Sequence, residues 1–299
     1  MALSTMTNRS PGDSITASDW DVVRNNILLI TGTPAGGSTE GWGQSWSVFN
    51  PSVGATITDT NTNDIINAAQ DIAVYTGASN TISDVSDGAT IQETDLNNVQ
   101  GTVTNGYNGR LTADNSYLST ESKDTSTRTT AWSTSVTHDV TITFSSQAHR
   151  EAFFNAGGKI NFNASRSGGS SSNQNTDWTN MLSAAGTVQM NHTQTTASSG
   201  TTSSIGNYDL TTSYQTIYEK AGSGAYSTNF WRIQGQATNS TTLRFLLTFG
   251  DSHTGRGYFD SVDGTLESVV GQDRPNSGTL PNGFDVVVAT PTYTTNSDL

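Results

Sequence analysis

Two hydrophobic rhythms divide the chain. Over about the first hundred residues apolar side chains recur at helical spacing. Trp20, Val23, Ile27 and Ile30 lie three or four apart, and Ile65 with Ala69 and Val99 with Val103 keep the interval. A degenerate repeat precedes each run: Gly12-Asp13-Ser14-Ile15-Thr16, Gly54-Ala55-Thr56-Ile57-Thr58 and Gly88-Ala89-Thr90-Ile91-Gln92. In every copy the Ile is followed four residues later by Asp19, Asn61 or Asp95. This is a helix entry. Thr16 and Thr58 are placed to cap free N–H groups, and the Asp or Asn three on can reach back in a capping-box variant. Ile15, Ile57 and Ile91 precede the cap and staple the entering chain. The spacing predicts three short amphipathic helices ending near Gly32, Gly77 and Gly106.

Beyond about residue 131 the period drops to two. Val136, His138, Val140, Ile142 and Phe144 share one face of a strand. A helical turn at His149 to Phe154 stops at Gly157-Gly158, and Ile160, Phe162 and Ala164 then alternate with polar residues up to a turn at Arg166 to Gly169. Thr176 to Ala184 reads as another short helix, followed by Val188 and Met190 in alternation. A Thr/Ser/Gly loop fills 193–206, and further strands are expected at 214–220, 230–236, 243–249 and 285–290. The predicted class is α+β: an N-terminal short-helix repeat region (1–115), a polar Thr-rich linker (116–130), and a mainly antiparallel, sandwich-like β domain (131–299). Phe153, Phe154, Ile160, Phe162, Trp178 and Trp231 are its expected core.

Composition changes this picture in one respect. Hydrophobic residues make up 32% of the 299 positions and charged residues 13%, with Thr, Ser, Asn and Gly abundant. So low an apolar fraction suits β-rich, turn-rich surfaces, or a protomer that completes its core against copies of itself. The helix faces around Trp20, Val23, Ile27, Ile65 and Val99, with Trp42 and Trp46, are therefore the expected interface and anchoring residues, a closed intrachain bundle being the alternative. The net charge of −13 and the lack of clustered Lys and Arg argue against nucleic-acid binding. Absence of cysteine excludes disulfides and thiolate metal sites. The opening residues carry no signal-peptide pattern, and the longest aliphatic run, Ile27 to Ile30, is too short for a bilayer. A soluble protein made in a cytosol, without membrane insertion, is expected.

The stretch Phe153-Phe154-Asn155-Ala156-Gly157-Gly158-Lys159-Ile160-Asn161-Phe162, the following Ser165-Arg166-Ser167-Gly168-Gly169, and Asn175 to Leu182 together resemble a segment of virion structural proteins of tailed bacteriophages, notably those infecting cyanobacteria. The likeness covers roughly residues 136 to 192, and the N-terminal Ile-Thr-x-x-Asp-Trp repeat resembles the same proteins. The resemblance implies a particle component (tail, neck, baseplate or fibre) assembled in the host cytoplasm. It further implies homo-oligomeric packing, with a trimer as the working expectation, docking to other virion proteins, and no catalytic residues or cofactor.

Two rival functions have residues behind them. Trp42, Trp46 and the loop 193–206 could form a receptor- or glycan-binding surface, or the rings could cover the bundle or a subunit interface. A hydrolase is suggested by Phe249-Gly250-Asp251-Ser252-His253, which resembles the nucleophile block of GDS-type esterases. Only 46 residues follow His253, and none is the downstream histidine that this chemistry needs as base. A Gly-Asp turn is the better account. Asp59 to Asp64 has oxygen side chains at alternate positions like a calcium loop, yet Asp64 and Gln70 stand where Gly and Glu belong, and the helix start explains them. His138, His149, His192 and His253 show no metal-binding spacing. Glu151, Glu219, Asp260 and Glu267 are isolated carboxylates with no glycosidase pattern.

Overall fold

The computed structural model describes residues 2–5, 10, 12–253, 261–278 and 280–299. The fold is α+β: helices dominate the first part of the chain and two antiparallel sheets the remainder. It comprises two compact units, both discontinuous in sequence. The first holds residues 1–119, 151–158 and 274–289, and the second residues 120–150, 159–273 and 290–299.

In the first unit the repeat becomes helices α1 (Ala17–Thr31), α2 (Asp59–Thr76) and α3 (Glu93–Gly109). Each start is made as its sequence dictates. Thr58 Oγ1 accepts the Asn61 N–H while Asn61 Oδ1 accepts the Thr58 N–H, both at 3.2 Å. The Asp19 and Asp95 carboxylates accept the N–H groups of Thr16 and Gln92 at 2.8 Å. Gly77 ends α2 in the left-handed conformation (φ 66°). Gly106 behaves differently from expectation. It lies inside α3, where an added Cβ would sit 2.3 Å from Ile72 Cγ2, so it permits close approach of α2 and does not end the helix.

The apolar stripes meet each other. Trp20, Val23, Ile27, Ile65 and Val99 are all buried within this unit of a single chain. They are therefore core residues, which corrects their expected role as a docking face: burial that composition assigned to neighbouring copies is completed internally. Phe153 and Phe154 also belong here, with rings 5.1 Å apart.

The second unit is built on two sheets, with strand orders β1-β10-β3-β4-β5 and β11-β2-β9-β8-β7-β6. The first sheet takes β1 (Leu118–Arg128), β3 (Lys159–Ser167), β4 (Val188–Met190), β5 (Thr195–Thr196) and β10 (Thr265–Pro275). The second takes β2 (Ser135–Thr143), β6 (Thr201–Thr202), β7 (Gln215–Ala221), β8 (Phe230–Asn239), β9 (Thr242–Gly250) and β11 (Thr292–Thr295). Two helices accompany them in the chain: α4 (Gln147–Asn155), whose residues are divided between the units, and α5 (Asn173–Ala185). Phe162 on β3 meets Phe245 on β9 with centroids 5.0 Å apart, which closes the sandwich. Trp178 on α5 packs edge-on against Trp132, and Trp231 stacks on Phe249. All six expected core residues are buried, but Phe153 and Phe154 lie in the first unit and the other four in the second.

Residues 118–128 correct the expected linker: they form β1, an edge strand of the first sheet. Residues 285–290 are not a strand; an isolated bridge joins Val287 to Asn276. Strand β10 was not expected at all. Its buried positions include Ser268, Gln272 and Asp273, so it lacks the apolar alternation that marks β2. No described helix is long and apolar enough to cross a membrane.

Candidate functional site

The closest approach to a reactive constellation lies between the sheets of the second unit. His138, on the inward face of β2, places Nε2 2.8 Å from Asp124 Oδ1 on β1 and Nδ1 2.9 Å from Ser268 Oγ on β10. A carboxylate only accepts, which puts the imidazole proton on Nε2 and leaves Nδ1 to accept the serine hydroxyl. The composition is that of a hydrolytic relay. Access decides against that chemistry, because both His138 and Ser268 are 0% exposed and no carbonyl substrate can reach the hydroxyl. Burial lowers the His138 pKa below its ordinary value, and Asp124, by hydrogen bond and charge, pulls it only part of the way back. The neutral ring thus links three strands from both sheets. Gln272, four residues further along β10 than Ser268, makes a second such link, donating to Glu121 and accepting from the Tyr293 hydroxyl, both at 2.9 Å.

Sequence reasoning missed this site. His138 was visible as a polar residue on an apolar face, but its partners stand 14 and 130 positions away, on two strands with no hydrophobic pattern.

The other candidates resolve into turns and braces. Ser252 and His253 follow β9, where both backbone N–H groups donate to Asn229 Oδ1, at 2.9 and 2.8 Å. Asp251 accepts from Gln174 Nε2 at 2.7 Å, and the His253 ring meets Tyr226 edge-on. That geometry is a clamped turn. Thr254, Gly255 and Asp260 lie outside the described residues. Trp42 is fully buried and donates to the Arg110 carbonyl at 2.8 Å, while Trp46, partly exposed, donates to the Asp285 carbonyl and packs on Phe284. Trp42 therefore presents no face to a sugar.

The calcium-like stretch is consumed by structure. Asp59 opens α2, Asn63 holds both the N–H and the carbonyl of Val85, and Asp64 takes the Phe49 N–H. Glu151 accepts from the Gly37 N–H, Glu219 pairs with Arg232, and Glu267 is exposed on β10. His149 bonds Ser145 beside its helix. Among the described residues no three His, Asp or Glu side chains converge as a metal site.

Four further acids, three of them buried, brace loops or strands. Asp71 on α2 accepts the N–H groups of Asn282 and Phe284; burial raises its pKa against those bonds. Asp177 holds the Ser223 N–H and hydroxyl. Asp263 gathers Ser170, Asn175 and Arg166; its pKa is lowered, since these partners outweigh the opposing effect of burial. Asp273 joins four adjacent strands through Thr120, Asn161 and Gln189. Comparison with known protein families, curated proteins and solved structures finds no match.

Proposed function

We propose that this chain is a non-enzymatic structural component of a tailed-phage virion, a tail, neck, baseplate or fibre protein that packs with copies of itself and with other virion proteins. The resemblance of residues 136 to 192 supplies the class. The observation that best supports a structural role is the use of the buried acids. Asp71, Asp177 and Asp273 each bind several donors and tie loops or strands together, where a hydrolase would hold carboxylates toward an open cleft. Such bracing suits a protein valued for holding shape. Docking in this reading falls to surfaces other than the α1–α3 stripes, which are internal.

Mass spectrometry of purified particles from the source of the chain tests the reading. The protein should be present in stoichiometric amount, and ester and polysaccharide hydrolysis by the purified chain should stay at background. Absence from particles, or cleavage abolished by Ser252→Ala or by a carboxylate substitution, would refute it.

A further inference from the structure

The two sheets of the second unit end in four edge strands, and three of these are blunted against a further strand. β5 and β6 are only two residues long each. β1 is longer but carries Glu121, Lys123, Asp124 and Arg128. Its Glu121 and Asp124, three positions apart, both turn to partners that link to the second sheet, Gln272 and His138, so its regular alternation breaks between them. Shortness, charge and an irregular step are devices that keep an edge from pairing with a neighbour.

The fourth edge has none of them. β11 lies outermost in the second sheet and pairs with β2, in the register Thr292↔Thr143 to Thr295↔Val140. The pairing continues past the strand, where the N–H groups of Asn296 and Asp298 donate to the carbonyls of Asp139 and Thr137 at 2.8 and 3.1 Å. The even-numbered residues thus direct their backbone groups to β2, and those of Tyr293, Thr295 and Ser297 face outward from the sheet edge. Among the described residues no backbone carbonyl meets these outward N–H groups. Thr292 to Ser297 includes no charged residue, proline or glycine, and Thr292, Thr294, Thr295 and Asn296 are exposed. Its Thr and Tyr residues favour an extended, pleated backbone.

The partner follows from the pattern of groups. An antiparallel edge presents donors and acceptors in alternation, so it is complementary to itself about a twofold axis. With the axis at Thr295, that residue exchanges both backbone bonds with its symmetry mate, and Tyr293 does the same with the mate of Ser297. Thr294 then lies opposite Asn296, and Thr292 opposite Asp298, the one charged residue of the segment. No like charges meet.

We infer that two copies associate by pairing β11 with β11 across a twofold axis at Thr295, joining their six-stranded sheets into one. The inference rests on the assembly reading above and supplies it with a surface.

Sedimentation equilibrium on the full chain, with residue-resolved hydrogen exchange, tests it. The wild type should show a concentration-dependent dimer. Thr295→Pro removes the N–H at the axis, and because that group faces away from β2 the fold should keep its circular dichroism and melting. The dimer should weaken by about tenfold or more, since two central hydrogen bonds are lost. Thr295→Val, which keeps the backbone donor, should pair like the wild type. Raising the concentration should slow exchange at Tyr293, Thr295 and Ser297, while Thr294 and Asn296 are protected throughout. A wild type that stays monomeric overturns the inference, as does an oligomer other than a dimer or a dimer indifferent to Thr295→Pro. If the free chain is monomeric and Thr295→Pro abolishes incorporation into particles, the edge receives a strand of a different virion protein; the inference fails and the virion reading stands.

Discussion

The two units bury their interiors by different means. In the first, aliphatic residues at helical spacing pack on one another, with Ile27, Ile65, Ile72 and Val99 fully enclosed. In the second, an aromatic core of Phe162, Phe245, Trp178 and Trp231 adjoins a seam of buried polar groups, among them His138, Ser268 and Gln272. The contrast teaches that a 32% hydrophobic fraction does not compel a chain to borrow its core from neighbours. Polar side chains can be enclosed at little net cost when each finds a partner, and the Thr-, Asn- and Ser-rich composition supplies those partners.

Core truncation gives the largest separation between the units. Trp178→Ala or Phe162→Ala should destabilise the second unit by about 3–5 kcal/mol, because a large ring leaves a cavity that rigid strands cannot close. Denaturant unfolding followed by tryptophan fluorescence would check this. An effect near zero would mean that the rings do not carry the core. Gly106→Ala probes a close contact between α2 and α3, and its methyl group should cost about 1–3 kcal/mol. In an Ile72→Ala background, which removes the opposing Cγ2, the same change should cost distinctly less. Equal penalties in both backgrounds would exclude the clash as the cause.

pH discriminates the units next. His138 has a folded-state pKa below its ordinary 6.5, so the unfolded chain takes up a proton that the fold resists. Stability from this group is complete above about 6.5 and is lost as pH falls from there toward the folded value. Asp124 and Asp139 oppose that loss through their charges. The pH dependence of melting over this window should diminish in His138→Gln, and an unchanged profile would remove His138 as its source. The smallest expected effect is at a helix start: Thr58→Ala should cost about 1 kcal/mol, readable by thermal melting, since the Asn61 N–H loses its acceptor.

Legibility followed the same division. Short-range patterns were readable: the three capped helices, the stripes on them, strands β2, β3, β8 and β9, whose apolar positions alternate, and β7 despite the bulge that buries both Ile217 and Tyr218. What failed was inference from composition to assembly, since Trp20, Val23, Ile27, Ile65 and Val99 satisfy each other within one unit. Polar strands failed too. Nothing in Leu118 to Arg128 or Thr265 to Pro275 marks a strand by hydrophobicity, yet β10 runs between β1 and β3. Of the sequence candidates for chemistry, Ser252, Trp42 and Asp59 to Asp64 proved to be turn, core and helix start.

The amino-acid order alone determined the helix boundaries set by capping, the glycine that ends α2, and the face that each alternating strand turns inward. These depend on residues within a few positions of each other. Tertiary structure decided the rest: the strand order, the burial of Ser268 and Gln272, and the Asp124–His138–Ser268 chain. The physical reason is that a polar group can be buried only where a partner stands, and here the partners of Ser268 and Gln272 lie 130 and 151 residues away.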